Sequence, residues 1–130
     1  MKPFTKQVIL IIRSIPEGSV MTYGGIARAA GSPRGARQVV RILHSMSRKY
    51  KLPWHRVINS KGMISLTEDE SGSLQQLYLL GEGIAFDERG VVDLARYQYE
   101  PGPDLDLDLD LEPETGVSLD PEDHFLPPFE

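Results

Sequence analysis

The sequence predicts a mainly α-helical domain with one small β hairpin, followed by an acidic tail. Three observations carry that expectation. Apolar residues recur at helical spacing, breaks rich in Gly, Ser and Pro separate those stretches, and the composition changes to prolines and carboxylates from residue 101 onward. A chain of 130 residues holds one modest core.

The first helix is read from Phe4, Val8, Ile11 and Ile12, which share one helical face, and Ile15-Pro16-Glu17-Gly18 ends it. Thr22 is an N-cap for a short helix over Tyr23–Ala30. Gly31-Ser32-Pro33 closes that helix and opens the next, with Ser32 as N-cap and Pro33 at the first helical position. This third helix is expected over about Arg34–Ser47, with Val39, Leu43 and Met46 buried. Val57-Ile58 reads as a short strand, Asn59-Ser60-Lys61-Gly62 as a turn, and Met63-Ile64-Ser65 as the return strand of a hairpin. Ser73–Leu80 reads as a last helix, apolar at Leu74, Leu77, Tyr78 and Leu80 and capped by Gly81. Ile84–Phe86 and Val91–Leu94 are expected to be extended.

The net charge of −5 hides a division. Residues 1–100 hold all 14 Lys and Arg and nine of the 19 acids, a balance of +5; residues 101–130 hold the other ten acids and no Lys or Arg, a balance of −10. A basic body of this kind suits nucleic acid. The tail's composition favours a solvated, disordered segment. Its alternating Asp-Leu run leaves a second reading, a DNA-mimicking or partner-docking segment, because Leu105, Leu107, Leu109 and Leu111 share one side if extended. There is no cysteine, so thiolate metal sites, disulfides and a cysteine nucleophile are excluded. The apolar run Val8–Ile12 is too short to span a bilayer and lacks signal-peptide features, so a cytoplasmic protein, nucleoid-associated if bacterial, is the expectation. No metal or cofactor is expected, no membrane partner, and a monomer is the default.

Two short helices joined by a Gly-containing turn, the second rich in arginine, make a helix-turn-helix signature. Arg34, Arg37 and Arg41, at i, i+3 and i+7, are expected on one face. By itself this pattern divides evenly between a solvated cationic face and a DNA-binding one.

Three segments in order are more specific: Ile15-Pro16-x-Gly-x-Val-x-Thr-Tyr-Gly-x-Ile-Ala, then Ala36-Arg37-Gln38-Val39-Val40, then Pro53-Trp54-His55-Arg56-Val57-Ile58. Over roughly residues 4–94 the chain resembles the DNA-binding domain of the alkylguanine-DNA alkyltransferases. Their Pro-Cys-His-Arg-Val motif carries the cysteine that takes the alkyl group from O6 of guanine. Trp54 stands at that place, as in the alkyltransferase-like proteins, in which the nucleophile is replaced. The resemblance implies a winged helix-turn-helix-like DNA-binding domain of the alkyltransferase type over residues 1–98, with an acidic tail over 99–130. It implies no catalytic residue, because alkyl transfer needs a thiolate and an indole N–H is only a donor.

What remains is recognition, by rotation of the nucleotide into a pocket. The resemblance implies that Arg37 enters the base stack and that Tyr23 favours rotation beside the target phosphate, with Arg34 and Arg41 on the backbone. Pro53, Trp54 and the backbone of Val57, Ile58, Asn59 and Ser60 would shape the pocket alongside Tyr23. His55, Arg56 and Glu82, which match residues that activate or support the cysteine, are expected to be structural here. Family members often carry a basic residue beyond the hairpin glycine, whereas Ser65–Glu70 has none, which puts a cation–π lid in doubt. The implied partners are double-stranded DNA containing O6-alkylguanine and the damage-recognition proteins of nucleotide excision repair. Two other readings stand beside this one: a sequence-specific helix-turn-helix transcription regulator, and a hydrolase or glycosylase built on His55 and Glu82.

Overall fold

A computed structural model describes residues 1–64, 70–107 and 111. The described elements are α1 (Pro3–Ser14), β1 (Met21–Thr22), α2 (Tyr23–Ala29), α3 (Ala36–Tyr50), a 3-10 turn at Trp54–Arg56, β2 (Val57–Ile58), α4 (Glu70–Gly81) and the short α5 (Leu94–Tyr97). The architecture is mostly helical with a two-stranded sheet, as the sequence indicates.

Helix α1 begins with Pro3 at its first turn, where a missing N–H costs nothing. Its apolar stripe is wider than the expected face, because Val8, Ile9, Leu10, Ile11 and Ile12 are all buried. A helix apolar through a full turn is covered on every side, and α1 is accordingly central. With α2 and α3 it forms the main core, which also takes in Tyr50, Leu52, Trp54 and Val57. A second cluster, Val20, Ile58, Ile64, Leu79, Ile84 and Val92, lies under α4 and the chain that follows it.

Helix α3 departs from the expected boundaries at both ends. Ser32 is not its N-cap and Pro33 is not its first residue: Gly35 donates to the Ser32 carbonyl at 2.9 Å, closing a turn, and itself occupies the cap position. That turn is closely packed: a Cβ at residue 35 would lie 2.9 Å from Cζ of the Phe4 ring and 3.1 Å from the Ser32 oxygen, so a larger residue there would require the Phe4 ring and the turn to shift. At its other end α3 runs on to Tyr50, with Lys51 in the left-handed conformation (φ 51°) as cap, and its buried stripe adds Ile42 to Val39 and Leu43.

The small sheet is a parallel pair, Met21 opposite Val57 and Thr22 opposite Ile58, and not the expected hairpin. The turn after β2 does form. Asn59 donates its N–H to Met63 O at 3.1 Å, and its side-chain oxygen accepts from the N–H groups of Lys61 (2.9 Å) and Met63 (3.0 Å). Among the described residues Met63 and Ile64 form no strand; the turn's Gly62 carbonyl instead accepts from Val92 N–H at 2.8 Å, and a separate antiparallel bridge joins Phe86 to Val92. A two-residue apolar run cannot name its partner, and here the partner is remote in sequence. Ser65 lies outside the described residues.

Helix α4 divides its apolar residues, and one further expectation is corrected. Leu77 and Leu80 of α4 are 63% and 47% exposed, while Leu79 and Gln75 face the interior. Leu94 starts a helical turn capped by Asp93, whose carboxylate accepts from Ala95 N–H at 3.1 Å, so Val91–Leu94 is not extended throughout.

Candidate nucleic-acid interface

Thr22 ends β1 and caps α2, its hydroxyl oxygen accepting from Gly25 N–H at 2.9 Å. That cap fixes Tyr23 as the first residue of α2, half-buried against the main core. On α3, Arg37 and Arg41 are exposed one turn apart, opposite the face formed by Val39, Ile42 and Leu43. Arg34 precedes the helix, so the expected i, i+3, i+7 stripe is broken at its first member, although Arg34 is exposed beside it. His44 and Arg48 extend the stripe instead. Residues 37, 41, 44 and 48 fall within about 60° of one another at 100° per residue, and all are exposed. Arg48 was legible as i+7 from Arg41, but only if the helix was known to continue past Ser47.

The β1–β2 pairing is parallel, so Tyr23 leaves the sheet at the same end as Asn59, while the Trp54 turn enters β2 from the other end, beside Val20. Trp54 opens the 3-10 turn and is only 1% exposed. Its ring meets those of His55 and Tyr78 edge-on, at 6.2 Å each, and His55 meets Tyr78 at 5.3 Å. Among the described residues its indole N–H has no hydrogen-bond partner, a state costing about 1–3 kcal/mol for a buried donor. Pro53 and Asn59 are half-buried and Ser60 is exposed. Val57 and Ile58 point into separate core clusters, so only their backbone is available to a ligand. The Ser65–Asp69 stretch, where a basic lid residue was sought, lies outside the described residues.

His55, Arg56 and Glu82 form one network. Glu82 accepts from Arg56 Nε at 3.0 and 3.1 Å and from Nη2 at 2.7 Å, from His55 Nε2 at 2.7 Å, and from Gly18 N–H at 3.1 Å. Arg56 Nη1 also donates to Ile15 O at 3.0 Å. Burial alone would raise the Glu82 pKa, but the hydrogen bonds from Arg56, His55 and Gly18 outweigh it and hold the carboxyl at about 2. Burial lowers the pKa of His55 against the opposing pull of Glu82. With Glu82 ionised and His55 neutral, Nε2 carries the imidazole proton. The network clamps the turn after α1, the Trp54 turn and the end of α4 together.

Gln75 was not singled out from sequence. It is 3% exposed, and its amide donates to the carbonyls of His55 (3.1 Å) and Val57 (2.9 Å), fastening α4 to the backbone around Trp54. Nothing in the sequence signals it, since a buried glutamine looks like any other until its partners are known.

The profile of the 6-O-methylguanine DNA methyltransferase DNA-binding domain matches residues 3–84. A "DNA base-flipping protein" of Escherichia coli K12 is 46% identical over 96 residues, 74% of each chain. "Alkyltransferase-like protein 1" of Schizosaccharomyces pombe is 36% identical over 106 residues, 78% of this chain and 98% of the relative. The crystal structure of S. pombe Atl1 in complex with damaged DNA containing O6-carboxymethylguanine superposes with a TM-score of 0.65 at 37% identity, covering 78% of this chain and 98% of that one. The chain therefore belongs to the family of the 6-O-methylguanine DNA methyltransferase DNA-binding domain, and its relatives there include base-flipping and alkyltransferase-like proteins.

Proposed function

We propose that this protein is a non-enzymatic sensor of alkylated DNA. It binds duplex DNA through the exposed Arg37, Arg41 and Arg34, rotates O6-alkylguanine toward Trp54 with Tyr23 beside the backbone, and passes the lesion to nucleotide excision repair. The observation that carries the reading is Trp54: a ring packed edge-on against His55 and Tyr78, in a chain without cysteine, at the position where the transferases keep their nucleophile. Its relatives' names and the damaged-DNA complex of Atl1 support DNA damage as the ligand. Because Trp54 is 1% exposed, entry of a base requires its cover to shift, and an indole face suits the apolar edge of an alkylated purine. Base flipping is easiest for a modified or mispaired nucleotide, which is one source of selectivity. The site lies in the cytoplasm or nucleoid, and the acting species is a monomer.

The test is equilibrium binding at stated salt to matched duplexes carrying guanine or O6-methylguanine. The intact protein binds the modified duplex more tightly, Arg37→Ala weakens both, and Trp54→Ala narrows the preference. Equal binding to both duplexes by intact protein, with one operator sequence preferred, would instead support a transcription regulator.

A further inference from the structure

The tail does not simply leave the body. Residues 97–99 run alongside Val20: Val20 N–H donates to Tyr97 O at 3.0 Å and Tyr99 N–H donates to Val20 O at 2.8 Å. Gln98 reaches the turn that caps α2, its Nε2 lying 3.6 Å from where a Cβ of Gly25 would be. The root of the tail is thus fixed beside the residues that lead directly into Tyr23. From Tyr99 to Asp104 the chain spans at most about 18 Å when fully extended, and a turn in which Leu105 N–H donates to Gly102 O at 3.2 Å shortens that reach. Beyond it the described residues alternate. Asp104 and Asp106 are exposed, while Leu105, Leu107 and Leu111 are half-buried against the main core, the cluster that also holds Trp54 and seats Tyr23.

Among the described residues, Leu105 and Leu107 turned to the body and Asp104 and Asp106 turned outward make a docked anionic strip, and the sequence continues the acids at 108 and 110. A merely solvating tail has no need of that apolar side, and half-buried leucines hold it only loosely. The body it docks on is basic by the charge division of the sequence.

We propose that the acidic Asp-Leu segment is a built-in competitor for DNA: Leu105, Leu107 and Leu111 hold it on the body so that its aspartates occupy the basic field that phosphates would enter. The inference rests on the DNA-binding reading above. Magnitudes are sufficient. A strip that binds the basic face about as weakly as non-specific DNA does, near 0.1 mM, and is tethered at an effective concentration of about 1 mM, raises the apparent dissociation constant for DNA about tenfold. The factor is the same for plain and lesion-bearing duplex, so the strip thins out weak, non-specific occupancy while leaving the preference between the two unchanged.

The test uses the full chain with Asp104→Asn, Asp106→Asn, Asp108→Asn and Asp110→Asn together, which keeps every leucine. Binding to guanine and O6-methylguanine duplexes is measured at low and high salt. The variant is expected to bind both duplexes about tenfold more tightly at low salt, with the gap closing as salt rises because the strip is itself screened. Equal affinity for intact and variant proteins at low salt overturns the competitor while leaving the DNA-binding reading intact. A gain that persists undiminished at high salt also overturns it, since charge is then not the cause. Failure of both proteins to bind either duplex at any salt removes the DNA-binding reading and this inference with it.

Discussion

Glu82 is the residue whose removal most damages the Trp54 loop, because one carboxylate answers three residues from two separate parts of the chain, His55 and Arg56 in the Trp54 turn and Gly18 after α1. Glu82→Gln keeps the shape, loses the charge and leaves Arg56 without its counter-ion, with its side chain only 18% exposed. The expected loss is about 2–3 kcal/mol at neutral pH, read from urea unfolding. The pH dependence has a fixed sign. Both His55 and Glu82 hold folded-state pKa values below those of the unfolded chain, so the unfolded chain takes up protons first as pH falls. The share from neutral His55 is complete above its ordinary value of 6.5 and declines below it; the share from Glu82 is complete above 4.5 and is lost as pH falls toward about 2. In Glu82→Gln the lower limb should flatten. An unchanged acid limb would mean that other carboxylates govern it.

At the scale of elements, what could be read from sequence was what is encoded locally. Helix α1, the Thr22 cap and the paired helices α2 and α3 follow from spacing and cap residues within a few positions of one another. What could not be read depends on distant partners. Ser32-Pro33 satisfies the local rule for a helix start, yet residues 32–35 close a turn packed against Phe4 and the helix begins after it. The partner of β2 lies before α2 and not in the next turn. Glu82 was reachable only through the resemblance, and Gln75 not at all. Helix α4 shows the same limit, since its leucines look alike in sequence but divide in space. Leu79→Ala should cost about 2–5 kcal/mol, whereas Leu77→Ser should stay within about 0.5 kcal/mol, compared by thermal melts. Similar losses for the two would mean that the outer face of α4 is covered in solution.

For the molecule as a whole, a basic body and an acidic extension share one chain, so net charge predicts its behaviour poorly. Binding to DNA should weaken steeply with salt, as the exposed Arg37, Arg41 and Arg48 imply, even though the chain as a whole is anionic at neutral pH. The core is equally divided. The helical cluster is built largely from residues 4–57, and the second cluster joins Val20 to residues 58–92.

The parallel pairing of β1 with β2 also bears on how the molecule comes together in time. Two strands of two residues each must meet across everything between residues 22 and 57, and such remote pairing pays its loop-closure entropy before any contact rewards it. The helices, whose own hydrogen bonds are local in sequence, are expected to form first, leaving the sheet and the Trp54 turn as the last part to close and the first to open. Native-state hydrogen exchange should then find the amides of Val57 and Ile58 protected less than those of Ile42 and Leu43 in α3. Equal protection would mean that the seat of Trp54 opens only when the whole molecule unfolds.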